Sequence, residues 1–222
     1  MRNLALQFII RTTIVLSFSS VSFAEPANLS VLTNEVKAYH DSGLYEKEIT
    51  KVILQAQNYI LKQADLNKKF KDKKLAVVLD IDETSLSNYD KMVKRNFLAN
   101  REQLHNEILA ADSAAINSML ALYNKALKRG VKIFFVTGRP QTELDATMTN
   151  LLRAGYKDWA GLYLRPDNYN QPSIVPFKAQ ARKSIAEQGY TIIASIGDQD
   201  SDIKGGYLQK GFKLPNPYYY LP

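Results

Sequence analysis

Asp80 and Asp82 stand two positions apart at the end of the apolar run LAVVL, and Glu83 follows directly. Like charges held that close repel, and burial adds to the cost, unless a cation, a proton or a positive side chain compensates them. Two other apolar runs also end in polar groups: KIFFV leads into Thr137, Gly138 and Arg139, and TIIASIG leads into Asp198, Asp200 and Asp202. A carboxylate at Asp80 can attack an electrophile, giving an acyl phosphate if the substrate is a phosphate ester. Asp82 could then protonate the leaving alcohol and activate the water that clears the intermediate. Crowded carboxylates joined by Asp198 and Asp202 favour a hard cation with oxygen ligands and retained waters, which points to Mg²⁺. A phosphoryl group in transfer also needs donors: the Thr137 hydroxyl, the amides of the loops around Ile81 and Gly138, and an ammonium. Lys178 in PFKAQARKSI, at the start of a predicted helix, is the first choice for that ammonium, with Lys183 the rival. Arg139 suits either a contact to substrate or one to a carboxylate.

The elements around these residues predict how they meet. Apolar positions recur at helical spacing from about Asn28 to Ala64, with a break near Asp41 to Gly43, which reads as two helices. Lys68 to Lys74 reads as a polar connector. LAVVLD, VKIFFVTGRP, GLYLRP and TIIASIGD are short and rich in valine, isoleucine and aromatics, the mark of strands covered on both faces. Between them lie helical stretches: a mixed, charged segment from Asn88 to Ala110, a helix capped by Ser113 and ended by Gly130, one from Gln141 to Ala154, and one from Pro176 to Glu187. Strands alternating with helices predict an α/β fold with a parallel sheet. In such sheets ligands bind outside the carboxyl ends of the strands, and Asp80, Asp82, Thr137, Gly138, Arg139, Asp198 and Asp202 sit at those ends.

The chain has 222 residues and an ordinary apolar and charged content, which suits one folded domain and excludes disorder or a coiled coil as a global description. Residues 1–24 carry Arg2 and Arg11, an uncharged apolar stretch and small Ser22 and Ala24, the layout of a secretory signal peptide cleaved after Ala24. Its removal takes two arginines and no acid, lowering the formal charge from +7 to +5. That mild excess suits a small anionic substrate. The lysines are scattered, and the densest run, NKKFKDKK, reads as a solvated face, so no nucleic-acid polymer is expected. With no cysteine, the exported protein has neither disulfides nor an acceptor for an N-terminal lipid, and is expected to be periplasmic or secreted with no membrane span once the signal is gone.

DIDET, FFVTGR, the lysine of PFKAQAR and GDQDSD, in this order, resemble the four motifs of the haloacid dehalogenase (HAD) superfamily of phosphatases. DIDETSLSN, KAQAR, GDQDSD and FKLPNPYYY are similar, more narrowly, to the acid phosphatases that include plant vegetative storage proteins and bacterial secreted, class B-like enzymes. The resemblance implies a Rossmann-like sheet flanked by helices, with N-terminal helices and a small helical cap at about 88–112, inside one domain over 25–222. It implies Asp80 as nucleophile, Asp82 as general acid and base, and Thr137, Gly138 and Lys178 on the substrate phosphate. Asp80, Asp198 and the backbone carbonyl of Asp82 are implied for Mg²⁺. Asp202 fits either a metal-bound water or the orientation of Lys178, with Arg139 in support. Glu83 and Asp200 receive no role, Thr84 is expected to steady its own turn, and Tyr89 reads equally as a substrate or a packing residue. The substrate expected is a small phosphate monoester, nucleoside monophosphates among them. Alternatives on the same fold are a non-catalytic storage or binding protein, since some storage relatives lack the nucleophile, and transfer to acceptors other than water.

Overall fold

The computed structural model describes residues 26–70 and 73–221. The signal-peptide reading of 1–24 lies outside the described residues. In chain order the elements are α1 (Leu29–Asp41), α2 (Leu44–Phe70), β1 (Lys74–Leu79), β2 (Leu86–Ser87), α3 (Tyr89–Lys94), α4 (Arg101–Leu109), β3 (Ala114–Ala115), α5 (Asn117–Lys128), β4 (Lys132–Pro140), α6 (Leu144–Arg153), β5 (Gly161–Arg165), α7 (Val175–Glu187), β6 (Tyr190–Gly197) and β7 (Lys210–Lys213). Five strands form one parallel sheet in the order β5-β4-β1-β6-β7.

Alternation along the central strands assigns the two layers of helices. Val77 and Leu79 of β1, with Ile133 and Phe135 of β4, face a core built by Ile49, Ile53 and Ile60 of α2 and Met119 and Tyr123 of α5. Ala76 and Val78, with Phe134 and Val136, face the other way onto Ala181 and Ile185 of α7. Strands covered on both faces need no polar positions until they leave the sheet, which is why the acids fall at their ends. Register then levels those ends: Leu79 pairs with Phe135 on one side and with Ile196 on the other. Asp80, Val136 and Gly197 are therefore one step beyond, side by side. The pairing of β4 with β5 shifts between Thr137 and Pro140, a bulge that lifts Gly138 and Arg139 out of the ladder.

Several boundaries differ from the sequence reading. Helix α2 continues to Phe70, past Lys68 where a connector was expected, since nothing in LNKK breaks a helix already anchored by Ile60 and Ala64. Ser113 does not cap α5; Ile116 precedes that helix, while the Ser113 hydroxyl donates to Asn88 and its N–H to Asn150. Helix α6 begins at Leu144, after a 3-10 turn at Gln141–Glu143. Strand β7 was not expected, because KGFK buries only Phe212 and shows no apolar run. Helices α3 and α4 occupy the expected cap-like stretch, and the antiparallel pair of β2 and β3 closes its base through Leu86–Ala115 and Ser87–Ala114. Among the described residues, no helix is long and apolar enough to cross a membrane.

Candidate active site

The turn after β1 is built by backbone bonds converging on one carbonyl. Ile81 O accepts the N–H groups of Thr84, Ser85 and Leu86, while the buried Ile81 side chain anchors the turn in the core. Glu83 takes a left-handed φ of 54° to complete it. The Ser85 hydroxyl donates to Asp80 O at 2.7 Å, and the Asp80 N–H donates to Ile196 O at 3.0 Å. It is therefore Ser85 that steadies the turn. Thr84, expected to do so, instead sends its hydroxyl across to Asp198 at 3.1 Å.

Asp80 is 5% exposed and accepts from the Lys178 ammonium at 2.8 Å. The same ammonium donates to Asp202 at 2.5 Å. Lys178 is 3% exposed; burial alone would lower its pKa, but the charges of Asp202 and Asp80 overcome that and hold it firmly protonated. Lys183, further along on the outer face of α7, is half-exposed and pairs with Glu187 at 3.7 Å. Lys178 is thus the lysine that the fold brings to Asp80. Burial and the charges of Asp202, Asp198 and Asp82 push the Asp80 carboxyl well above the usual range, against the pull of Lys178. Asp202 is likewise raised, first by burial.

Asp82 meets the opposite surroundings. Arg139, 3% exposed, donates to both its oxygens at 2.9 and 2.6 Å, and the Asn88 amide adds a bond at 2.8 Å. Burial would raise its pKa, but Arg139 outweighs burial and holds the carboxyl below its ordinary value. Of the two partners open to Arg139, the fold supplies the carboxylate. Two acids two residues apart are thereby driven in opposite directions, the usual sign of separate acid–base roles.

On the β6 side, Asp198 accepts from Thr84, from Gln199 at 2.6 Å and from Asn216 at 2.6 Å. Asp202 folds back over Gly197 and accepts the Gln199 N–H at 2.9 Å. A Cβ on Gly197 would stand 2.0 Å from the Asp202 carboxyl carbon, so only glycine admits this packing. Asp80, Asp198 and Asp202 each offer an oxygen within 4.8 Å of the others, all buried. Three carboxylates against one ammonium leave net negative charge in a hard, oxygen-only donor set, which fits a divalent cation. The Asp82 side chain lies outside this trio, committed to Arg139.

Thr137 is buried beside these groups, and its oxygen accepts the Arg139 N–H at 3.2 Å. The Gly138 carbonyl is held by Arg165 at 3.0 Å. Asp200 sits away from the centre, half-buried and paired with Lys204 at 2.6 Å. Tyr89 is packing: its ring lies among His40, Phe97 and Tyr218, and its hydroxyl donates to Asp41 at 2.8 Å. Glu83 has a job after all. Its carboxylate accepts the Asn88 N–H at 2.7 Å and the Tyr219 hydroxyl at 2.9 Å, joining the first turn to the tail. Burial, with the charges of Asp82 and Asp198, pushes it up to about 8.

Sequence reasoning missed Arg182, Gln199, Asn216 and Tyr219. Arg182 is fully buried and donates to the carbonyls of Ser201, Asp202, Lys204 and Gly206, stitching the loop that carries Asp202. Its signal was present in KAQAR: four residues apart on a helix, Lys178 and Arg182 share one face. Gln199 lies inside GDQDSD, and Asn216 and Tyr219 inside FKLPNPYYY, but nothing local there tells that the Asn216 amide reaches Asp198 or the Tyr219 hydroxyl Glu83, 18 and 136 positions away.

A lysine-paired aspartate beside two acids able to share a cation, at the carboxyl edge of a parallel sheet, suits an α/β phosphohydrolase. Comparison with known proteins agrees. A family model described as "HAD superfamily, subfamily IIIB (Acid phosphatase)" matches residues 17–222, and the chain belongs to this family. It is an enzyme of the phosphatase class, and the resemblance drawn from its motifs is borne out. Acid phosphatase 1 of Solanum lycopersicum is 33% identical over 190 residues, covering 84% of this chain and 73% of that protein. The Stem 28 kDa glycoprotein of Glycine max is 37% identical over 150 residues, covering 65% of this chain and 59% of the relative. The fold is shared with the class C acid phosphatase from Bacillus anthracis, at a TM-score of 0.68, 22% identity and 86% coverage of each chain.

Proposed function

We propose that this protein hydrolyses small phosphate monoesters with Mg²⁺ through an aspartyl-phosphate on Asp80. The observation that carries this is the contrast at the first turn: Asp80 on Lys178 beside Asp198 and Asp202, and Asp82 turned to Arg139 and Asn88. Bound by Asp80, Asp198 and the Asp82 carbonyl, with Asp202 alongside, the cation would offset charge on the carboxylates and the phosphoryl oxygens. An Asp80 oxygen forms the new bond to phosphorus as the ester oxygen leaves. Lys178, the Thr137 hydroxyl and the amide of Gly138 hold the phosphoryl oxygens. Asp82 gives its proton to the departing alkoxide, then takes one from the water that attacks the phosphorus and frees Asp80. In the resting site Asp82 is a carboxylate on Arg139; the arriving phosphate dianion raises its proton affinity, which supplies the acid form. Alcohol and inorganic phosphate are the products.

Residues 88–112 follow the first turn, where Asn88 bonds Asp82 and Glu83, and we take them as the cap that selects the ester, nucleoside monophosphates being the first to screen. The leader-like residues 1–24 support export to the periplasm or beyond. The names of relatives such as Vegetative storage protein 2 of Arabidopsis thaliana, 30% identical over 149 residues, favour a storage role as the second reading. The intact Asp80–Lys178 pair and the acid trio favour turnover. Assaying Asp80→Asn on a chromogenic phosphate ester, with and without a chelator, is the test. Wild-type activity lost on chelation and in the variant is expected; activity surviving both would overturn the mechanism.

A further inference from the structure

Beyond β7 the chain turns back across the site instead of leaving it. The Leu214 N–H donates to Gly197 O at 2.8 Å and the Leu214 side chain is buried, so the segment that follows is pinned at the end of β6. Pro215 and Pro217 flank Asn216 and fix the local path. Asn216 Oδ1 accepts the N–H of Tyr218 at 2.8 Å and of Tyr219 at 3.4 Å, an Asx turn. This leaves Nδ2 as the end that reaches Asp198 Oδ2, at 2.6 Å. Gln199 Nε2 donates to the same oxygen at 2.6 Å, while Gln199 Oε1 accepts the Leu221 N–H at 3.1 Å from the same segment. Thr84 occupies one position on Asp198 Oδ1 at 3.1 Å.

A carboxylate offers about four lone-pair positions, and these three donors fill three of them. One remains, on Oδ1. We infer that Asn216 is a positioning residue for the cation: with Gln199 and Thr84 it holds Asp198 in one orientation, as a ligand through a single oxygen. This rests on the functional reading above. The carboxylate is ordered before any cation arrives, and the tail segment is part of the metal site although none of its side chains belongs to the acid trio. Partners of this kind, one step behind a ligand, are worth about 10–100-fold in metal affinity.

The test is Mg²⁺ binding by isothermal titration calorimetry, with melting temperatures measured without and with Mg²⁺. Wild type is compared with Asn216→Ala, Asn216→Ser and, as control, Tyr220→Ala in the same segment, where the side chain is 73% exposed. Serine keeps a hydroxyl that accepts the amide two residues on but is too short to reach Asp198, so it separates the turn from the ligand contact. Both Asn216 variants are expected to raise the Mg²⁺ dissociation constant about tenfold or more. Their Mg²⁺-induced rise in melting temperature shrinks, the metal-free melting temperature of Asn216→Ser stays near wild type, and Tyr220→Ala binds within about twofold of wild type. Should Asn216→Ala not fold, Asn216→Ser decides. Variants that bind Mg²⁺ as tightly as wild type, whatever their melting temperature, overturn this inference alone. A wild type that bound no divalent cation would overturn the functional reading and this inference with it.

Discussion

The two ends of the parallel sheet are both rich in charge, and they treat it in opposite ways. At the amino end, a cleft of about 760 Å³ is lined by Lys68, Lys73, Lys74, Arg129 and Lys132, all exposed. Of these, Lys68 and Arg129 share Asp65, itself exposed. At the carboxyl end, Asp80, Lys178, Asp198, Asp202 and Arg139 are buried, each bonded to named partners within 3.1 Å. Solvent screens the first group, so no geometry is imposed on it. The second group has lost its water, and each charge must be met by a protein group, which fixes directions as well as signs. A strong local charge is thus common to both ends; only the buried end converts it into fixed geometry.

Four variants sharpen this contrast, from the largest effect to the smallest. Lys178→Met removes the one ammonium between Asp80 and Asp202, and is expected to cost about 3–5 kcal/mol in stability, because two buried carboxylates are left without it. Ester hydrolysis by the folded fraction should fall at least about 100-fold, as the proposed donor to the phosphoryl oxygens is lost. Urea unfolding and initial rates read both effects; a stable, active variant would break the comparison. Arg182→Met removes the side-chain donor of the Ser201, Lys204 and Gly206 carbonyls, while Asp202 O keeps the Ser195 hydroxyl at 2.6 Å; it is expected to cost about 2–4 kcal/mol in unfolding free energy and to loosen the loop carrying Asp202. Lys183→Gln, on the exposed face of the same helix, should shift stability by no more than about 0.5 kcal/mol and leave turnover unchanged. The pair Lys74→Gln with Lys132→Gln at the amino end should leave kcat and KM for a small ester within about twofold, since both side chains are solvated. A large rise in KM there would show that the basic cleft takes part in substrate capture.

Much of the fold was legible because its strands are buried on both faces. A run such as AVVL or IFFV has few other destinations, and its polar terminus marks where it emerges. Glycines 130, 155 and 189 marked helix ends, each at a positive φ. KGFK escaped notice because an edge strand with one buried residue carries no periodic signal. The acids of the site were legible for the same reason as the strands, being their terminal residues. Thr84 was misread because its partner is Asp198, 114 positions away, and side-chain hydrogen bonds over such spans leave no local pattern. The choice between Lys178 and Lys183 came down to the helix face, which a break of one residue in phase would have reversed.

What the sequence determined by itself is the inventory: which groups stand at which strand ends, and hence that acids, a hydroxyl, an arginine and a lysine gather at one edge. Hydrophobic periodicity and the carboxyl-end rule for parallel sheets are enough for that. What only the tertiary structure decided is the state of each group. Asp80 and Asp82 are chemically alike and two residues apart, yet one is raised and the other lowered: burial beside Asp202, Asp198 and Asp82 outweighs the lysine that α7 delivers to the first, while the arginine that the β4 bulge delivers to the second outweighs its burial. The tail residues Asn216 and Tyr219 reach Asp198 and Glu83 only after β7 has folded the chain back. Electrostatic environment is a property of distances between elements, and those distances exist only once the layers have packed.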